Sequence, residues 1–94
     1  MKTYEMIYVL DATLADEAKE AFAKKFEDVI TSKGGSVVSV DKWGVKKLAY
    51  PINYKTEGDY TVLTFSSDGT AVKELERVSD LSVEVLRRII TVKA

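Results

Sequence analysis

The 94-residue chain has no cysteine, no histidine, one proline and one tryptophan. Without cysteine there is no disulfide, no thiolate nucleophile and no sulfur ligand for a metal. Without histidine the commonest general base and the commonest transition-metal ligand are missing. Ordinary zinc sites, cysteine-protease chemistry and Ser-His catalysis are excluded. An excess of charge of one sign is also lacking, because 14 Lys and Arg face 15 Asp and Glu, for a net charge of -1 and a pI near 5.4. At face value that balance argues against a nucleic-acid binder, since such domains usually carry a basic excess. Nor is there a long apolar run. Met6 to Leu10 stops at Asp11, too short for a signal-peptide core or a membrane span, so a cytoplasmic protein with no membrane partner is expected.

What is present describes a folded chain. The 46% hydrophobic and 31% charged fractions suit one small core, and residues 1–94 are expected to form a single domain. Thr3 to Leu10 is rich in Tyr, Ile and Val, as a buried strand is. Thr13-Leu14-Ala15-Asp16 has the Ser/Thr-x-x-acid spacing of a helix start, with Asp16, Glu17 and Glu20 placed where the helix dipole favours negative charge. Ala18, Phe22, Phe26, Val29 and Ile30 then mark one helix face, which ends at Gly34-Gly35. Ser36 to Phe65 is β-rich and broken most clearly at Thr56-Glu57-Gly58-Asp59, which predicts a hairpin turning there. Pro51 makes the first arm an edge strand, because proline has no N–H for a ladder. Ser66 to Gly69 marks a turn, Val72, Leu75 and Val78 the stripe of a second helix, and Leu86 to Val92 a last strand.

The order is βαββαβ. Right-handed crossovers place both helices on one face of a four-stranded antiparallel sheet with the first and third strands central, a ferredoxin-like α+β fold. That fold serves many functions and decides none of them.

The near-neutral total hides a partition. Residues 31–55 carry five lysines against Asp41, and residues 87–94 carry Arg87, Arg88 and Lys93 with no acid. Residues 11–30 and 56–86 hold most of the acids, six and seven of them. An acidic helix layer is thus combined with a basic hairpin arm and a basic last strand. Lysines at 42, 46 and 47 also suit an edge strand protected against edge-to-edge pairing. Adjacent residues on a strand point to opposite faces, so Lys46 and Lys47, like Arg87 and Arg88, cannot both serve one ligand.

The run Trp43-Gly44-Val45-Lys46-Lys47-Leu48-Ala49-Tyr50-Pro51-Ile52 resembles the signature of the bacterial small-subunit ribosomal protein S6 family, Gly-x-basic-basic-Leu-Ala-Tyr-Pro-Ile. The opening Tyr4-Glu5 and the closing Arg87-Arg88-apolar-apolar-x-Val-Lys lie at compatible spacing, so the resemblance covers essentially the whole chain. It implies the βαββαβ fold and a structural place in the small ribosomal subunit. It also implies binding to the central domain of its ribosomal RNA, with ribosomal protein S18 as protein partner. On the matching positions it implies phosphate contacts by Lys2, Arg87, Arg88 and Lys93, with Lys46 and Lys47 as the hairpin's basic pair. Lysine at 46 and 47, where some members have arginine, keeps the charge and loses the planar bidentate contact. The sequence ends at Ala94, so a partner contact through the tail that many relatives carry past the last strand is not expected.

If Tyr4, Met6, Tyr8, Leu10, Leu63 and Phe65 face the helices, then Ile7, Val9, Tyr60 and Val62 face outward. With Leu48 or Tyr50 they would form an exposed apolar patch for the protein partner. A different reading is an RNA-recognition-motif-like binder of single strands, in which Tyr8 would face outward and stack on bases. A small regulatory ligand-binding domain is a third. Enzymatic function is not expected. Gly34-Gly35 ends a helix rather than opening one, the carboxylates are dispersed, and no catalytic residue, metal site, cofactor or small-molecule substrate is indicated.

Overall fold

A computed structural model describes residues 2–52 and 55–93. The elements are β1 (Lys2–Asp11), α1 (Asp16–Ser32), β2 (Ser36–Ile52), β3 (Lys55–Ser67), α2 (Gly69–Asp80) and β4 (Val85–Val92). The strands form one sheet in the order β2-β3-β1-β4, every neighbouring pair antiparallel. This is the expected ferredoxin-like arrangement, with β1 and β3 central and β2, which carries Pro51, at an edge.

Alternation along β1 builds the core. Met6, Tyr8 and Leu10 meet Leu63 and Phe65 of β3, Phe26 and Ile30 of α1, and Leu75 and Val78 of α2. The Tyr8 ring meets Phe26 edge-on at 4.9 Å between centroids, and Tyr4 stacks on Phe65 at 5.6 Å. Each fully buried ring of this size removes enough surface from water to contribute roughly 4 kcal/mol as an upper bound. Tyr8 is 2% exposed, and burial pushes its phenol above the ordinary tyrosine value. That position removes the base-stacking tyrosine on which the RNA-recognition-motif-like reading depended.

Three local expectations are corrected. Thr13 does not cap α1. Its hydroxyl and its N–H both donate to Asp11 Oδ1, at 2.7 and 2.9 Å, a local turn that competes for the side chain. The helix starts instead from Ala15, which has no side-chain cap, and Asp16 and Glu17 lie in its first turn. At the other helix, where a turn over Ser66 to Gly69 is expected, β3 runs on through Ser67 and Asp68 alone separates it from α2, capping the helix by accepting from the Thr70 N–H at 3.0 Å. The third correction concerns Thr56-Glu57-Gly58-Asp59, which lies inside β3. Ile52 and Lys55 pair with each other at the end of the β2–β3 ladder, while Gly58 pairs with both Lys46 and Asp11. Gly58 is needed there for closeness rather than for turning, since a Cβ at 58 would fall 2.2 Å from Val9 Cγ1.

Candidate nucleic-acid interface

Register with β1 fixes which way each residue of β4 points. Arg88 pairs with Tyr8 and Ile90 with Met6, so both lie on the helix-covered face; Arg87, Ile89 and Thr91 pair with Val9, Ile7 and Glu5 on the open face. Extended through β3 and β2, the open face carries the cross-strand row Arg87, Val9, Tyr60, Gly44. Beside it run the rows Ile89, Ile7, Val62, Asp41 and Thr91, Glu5, Thr64, Ser39.

The two arginines therefore part company. Arg88 turns to α2, where its Nη2 donates to Asp80 Oδ1 and Oδ2 at 3.1 and 3.2 Å and lies 3.7 Å from Glu76 Oε2. Its Nε is enclosed without a hydrogen-bond partner among the described residues. Arg87 is exposed, and its Nη1 reaches the Tyr50 hydroxyl at 3.4 Å. Tyr50 belongs to the opposite edge strand, so this contact spans the open face. Lys93 is exposed, and its N–H donates to the Thr3 carbonyl at 2.8 Å, next to the Tyr4–Val92 pair. It continues the Arg87 side of β4, about 20 Å from Arg87 at the usual strand rise. Lys2 is exposed at the same end of the sheet with the parity of Tyr4 and Met6. Lys46 and Lys47 pair with Gly58 and Glu57 and are both exposed. Lys46 shares the open face with Tyr60 and Lys47 takes the other. Two further lysines are engaged with acids, Lys19 with Asp59 at 2.9 Å and Lys55 with Asp11 at 3.3 Å. The Thr13 hydrogen bonds, and after them Lys55, hold the Asp11 carboxyl below the usual carboxylate range.

The apolar patch differs from expectation. Val9 is 3% exposed and Val62 7%, so these two form the floor of the face rather than its surface. Leu48 closes over this region: a Cβ at 58 would lie 3.4 Å from Leu48 Cδ2 as well as against Val9. Ile7, Tyr60 and Leu48 are half-buried and Tyr50 is exposed. Ile89, 40% exposed beside Ile7, is part of the patch and was not assigned from the sequence. The mixed alternation of Leu86 to Val92 carries no parity signal, and only pairing with β1 supplies one. Among the described residues no group of acids is placed to hold a metal ion.

Residues 3–93 match the family model described as Ribosomal protein S6. Small ribosomal subunit protein bS6 of Clostridium novyi (strain NT) is 44% identical over 87 residues, which are 93% of this chain and 92% of that protein. The bS6 protein of Caldanaerobacter subterraneus subsp. tengcongensis is 40% identical over 90 residues, 96% of this chain and 95% of that protein. The crystal structure of 30S ribosomal protein S6 from Thermotoga maritima superposes with a TM-score of 0.91 at 28% identity, covering 98% of this chain and 87% of that one.

Proposed function

The chain belongs to the ribosomal protein S6 family of the small ribosomal subunit, and on that premise we propose that it binds the central domain of the small-subunit ribosomal RNA together with ribosomal protein S18. It acts in the cytoplasm as one structural domain whose open sheet face is the working surface, and it performs no catalysis. The observation that carries this reading is the register of β4, which lines one edge of an uncovered face with Arg87, Ile89 and Thr91, continued by Lys93.

Arg87 and Lys93 contact phosphates on the open face, with Lys46 contributing from its far edge and Lys2 reaching round the rim beside Lys93, whereas Lys47, on the other side of the sheet, stays clear of that ligand. A few cations of this kind supply sequence-independent affinity by displacing counterions. Selectivity then comes from the shape of the RNA, which a rigid sheet matches at fixed positions. Arg88 serves this surface by tying β4 to α2, as its pairing with Asp80 and Glu76 supports. The protein partner rests on Ile7, Ile89, Tyr60, Leu48 and Tyr50, while Val9 and Val62 support that contact from beneath.

Reconstitution from purified components tests the proposal. A central-domain RNA fragment is expected to retain the chain far more tightly when S18 is present. Ile89→Ala is expected to weaken the chain's pairing with S18 while leaving its unfolding midpoint nearly unchanged. Equal retention with and without S18, and an unaltered pairing in the variant, would refute the shared surface.

A further inference from the structure

Trp43 is the single tryptophan of the chain, and it lies at a deliberate irregularity of the edge strand. Lys42 pairs with Thr61 and Gly44 with Tyr60, which leaves Trp43 as the extra residue of a bulge. Gly44 takes a φ of 84°, in the left-handed region that favours glycine. A bulge of this kind re-aims a side chain out of the pleat. The indole it presents is 46% exposed and held in place at two points. Its Nε1 donates to Asp41 Oδ2 at 3.1 Å, and Lys46 Nζ lies 4.8 Å from the ring centroid. Among the described residues no other aromatic ring packs against it.

We infer that Trp43 is a stacking platform for one unpaired nucleobase, with Lys46 holding the adjoining phosphate. This rests on the RNA-binding reading above and adds a base contact to it. The indole is oriented before binding, so little freedom is lost when a base settles on it. A lysine against one face leaves the opposite face as the one for the base and reinforces the stack electrostatically. Charge complementarity selects RNA over a basic protein partner, because Lys42, Lys46 and Lys47 flank Trp43 along the strand against Asp41 alone, and Asp41 already accepts from the indole N–H. An unpaired base is required, since bases within a duplex have both faces occupied. Stacking of this type is tolerant of sequence, so the platform fixes the position of a bulged or junction nucleotide without demanding its identity.

The test uses the full chain with S18 and a central-domain RNA fragment, comparing wild type, Trp43→Phe and Trp43→Leu. The proposal predicts RNA binding about ten-fold weaker for Trp43→Leu, largely restored in Trp43→Phe, with pairing to S18 in the absence of RNA unchanged and unfolding midpoints alike. Trp43 emission in the chain alone should also be quenched by a short single-stranded oligoadenylate and not by a duplex of equal length. Wild-type binding that Trp43→Leu matches would overturn the platform while sparing the RNA reading. Failure of the wild type to bind the fragment at all would overturn the RNA reading itself, and the platform with it. Weakened pairing of Trp43→Leu with S18 alone would make Trp43 a protein contact and likewise overturn the proposal.

Discussion

On the helix-covered face of the sheet Met6, Leu63 and Phe65 are sealed from water, and the arginine that lies there, Arg88, is tied to acids of α2. On the open face Ile7, Tyr60 and Ile89 keep part of their surface, and among the described residues Arg87 meets only a tyrosine hydroxyl. Residues adjacent in sequence thus lie in different surroundings, one face sealed beneath the helices and the other left uncovered. The contrast is not absolute. Val9 and Val62 are as buried as many core residues although they point away from the helices, and beside Val9 the Leu48 side chain closes in over Gly58.

The sharpest separation of the faces should come from truncating a ring on one and an aliphatic side chain on the other. Phe65→Ala is expected to cost about 3–5 kcal/mol of stability in denaturant unfolding, whereas Ile89→Ala should cost less than about 1 kcal/mol and weaken only the pairing with S18. Comparable losses for the two would abolish the distinction. Next in size is Gly58→Ala, which forces a methyl onto Val9. An overpacking loss of about 1–3 kcal/mol is expected from the supposedly open side, and a neutral result would mean that the floor under the patch is soft.

Arg88→Ala should then lose about 1–2 kcal/mol, a figure kept low because the side chain is a quarter exposed. Arg87→Ala should stay within about 0.5 kcal/mol of wild type. The smallest effect concerns acid. The Asp11 and Asp68 carboxyls are held below their ordinary values, in each case first by a threonine hydroxyl. A depressed carboxylate contributes stability that is present above the unfolded value, about 3.9, and is lost as pH falls through the folded one. Asp11→Asn should therefore flatten the acid limb of the stability profile below about pH 4 and lower neutral stability slightly, by the part that the carboxylate contributes there. An acid limb identical to that of wild type would remove Asp11 from the account.

Much of this was legible along the chain because it is local. The alternation of β1 identifies Met6, Tyr8 and Leu10 as core without reference to any other strand, and Pro51 alone puts β2 at an edge. The site was legible mainly in composition, as a basic arm and a basic last strand. What stayed hidden depends on pairing. Four turn-forming residues, Thr56 to Asp59, lie within a strand because Gly58 admits Val9 from the neighbouring strand, a demand invisible in the segment itself. The parity of Arg87 and Arg88 is set by Val9 and Tyr8 across the ladder. Trp43 is displaced by a bulge, and no alternation pattern locates a residue that the ladder skips.

The division of the two arginines is the centre of the account, and the salt dependence of RNA binding tests it most directly. Affinity for the central-domain RNA fragment in the presence of S18 would be measured across a range of salt for wild type, Arg87→Ala and Arg88→Ala. Arg87→Ala should bind more weakly, with the slope of log affinity against log salt reduced by about 0.7 to 0.9, the loss of one phosphate contact. Arg88→Ala should keep the wild-type slope. A reduced slope for Arg88→Ala with an unchanged one for Arg87→Ala would contradict the assignment of the open face.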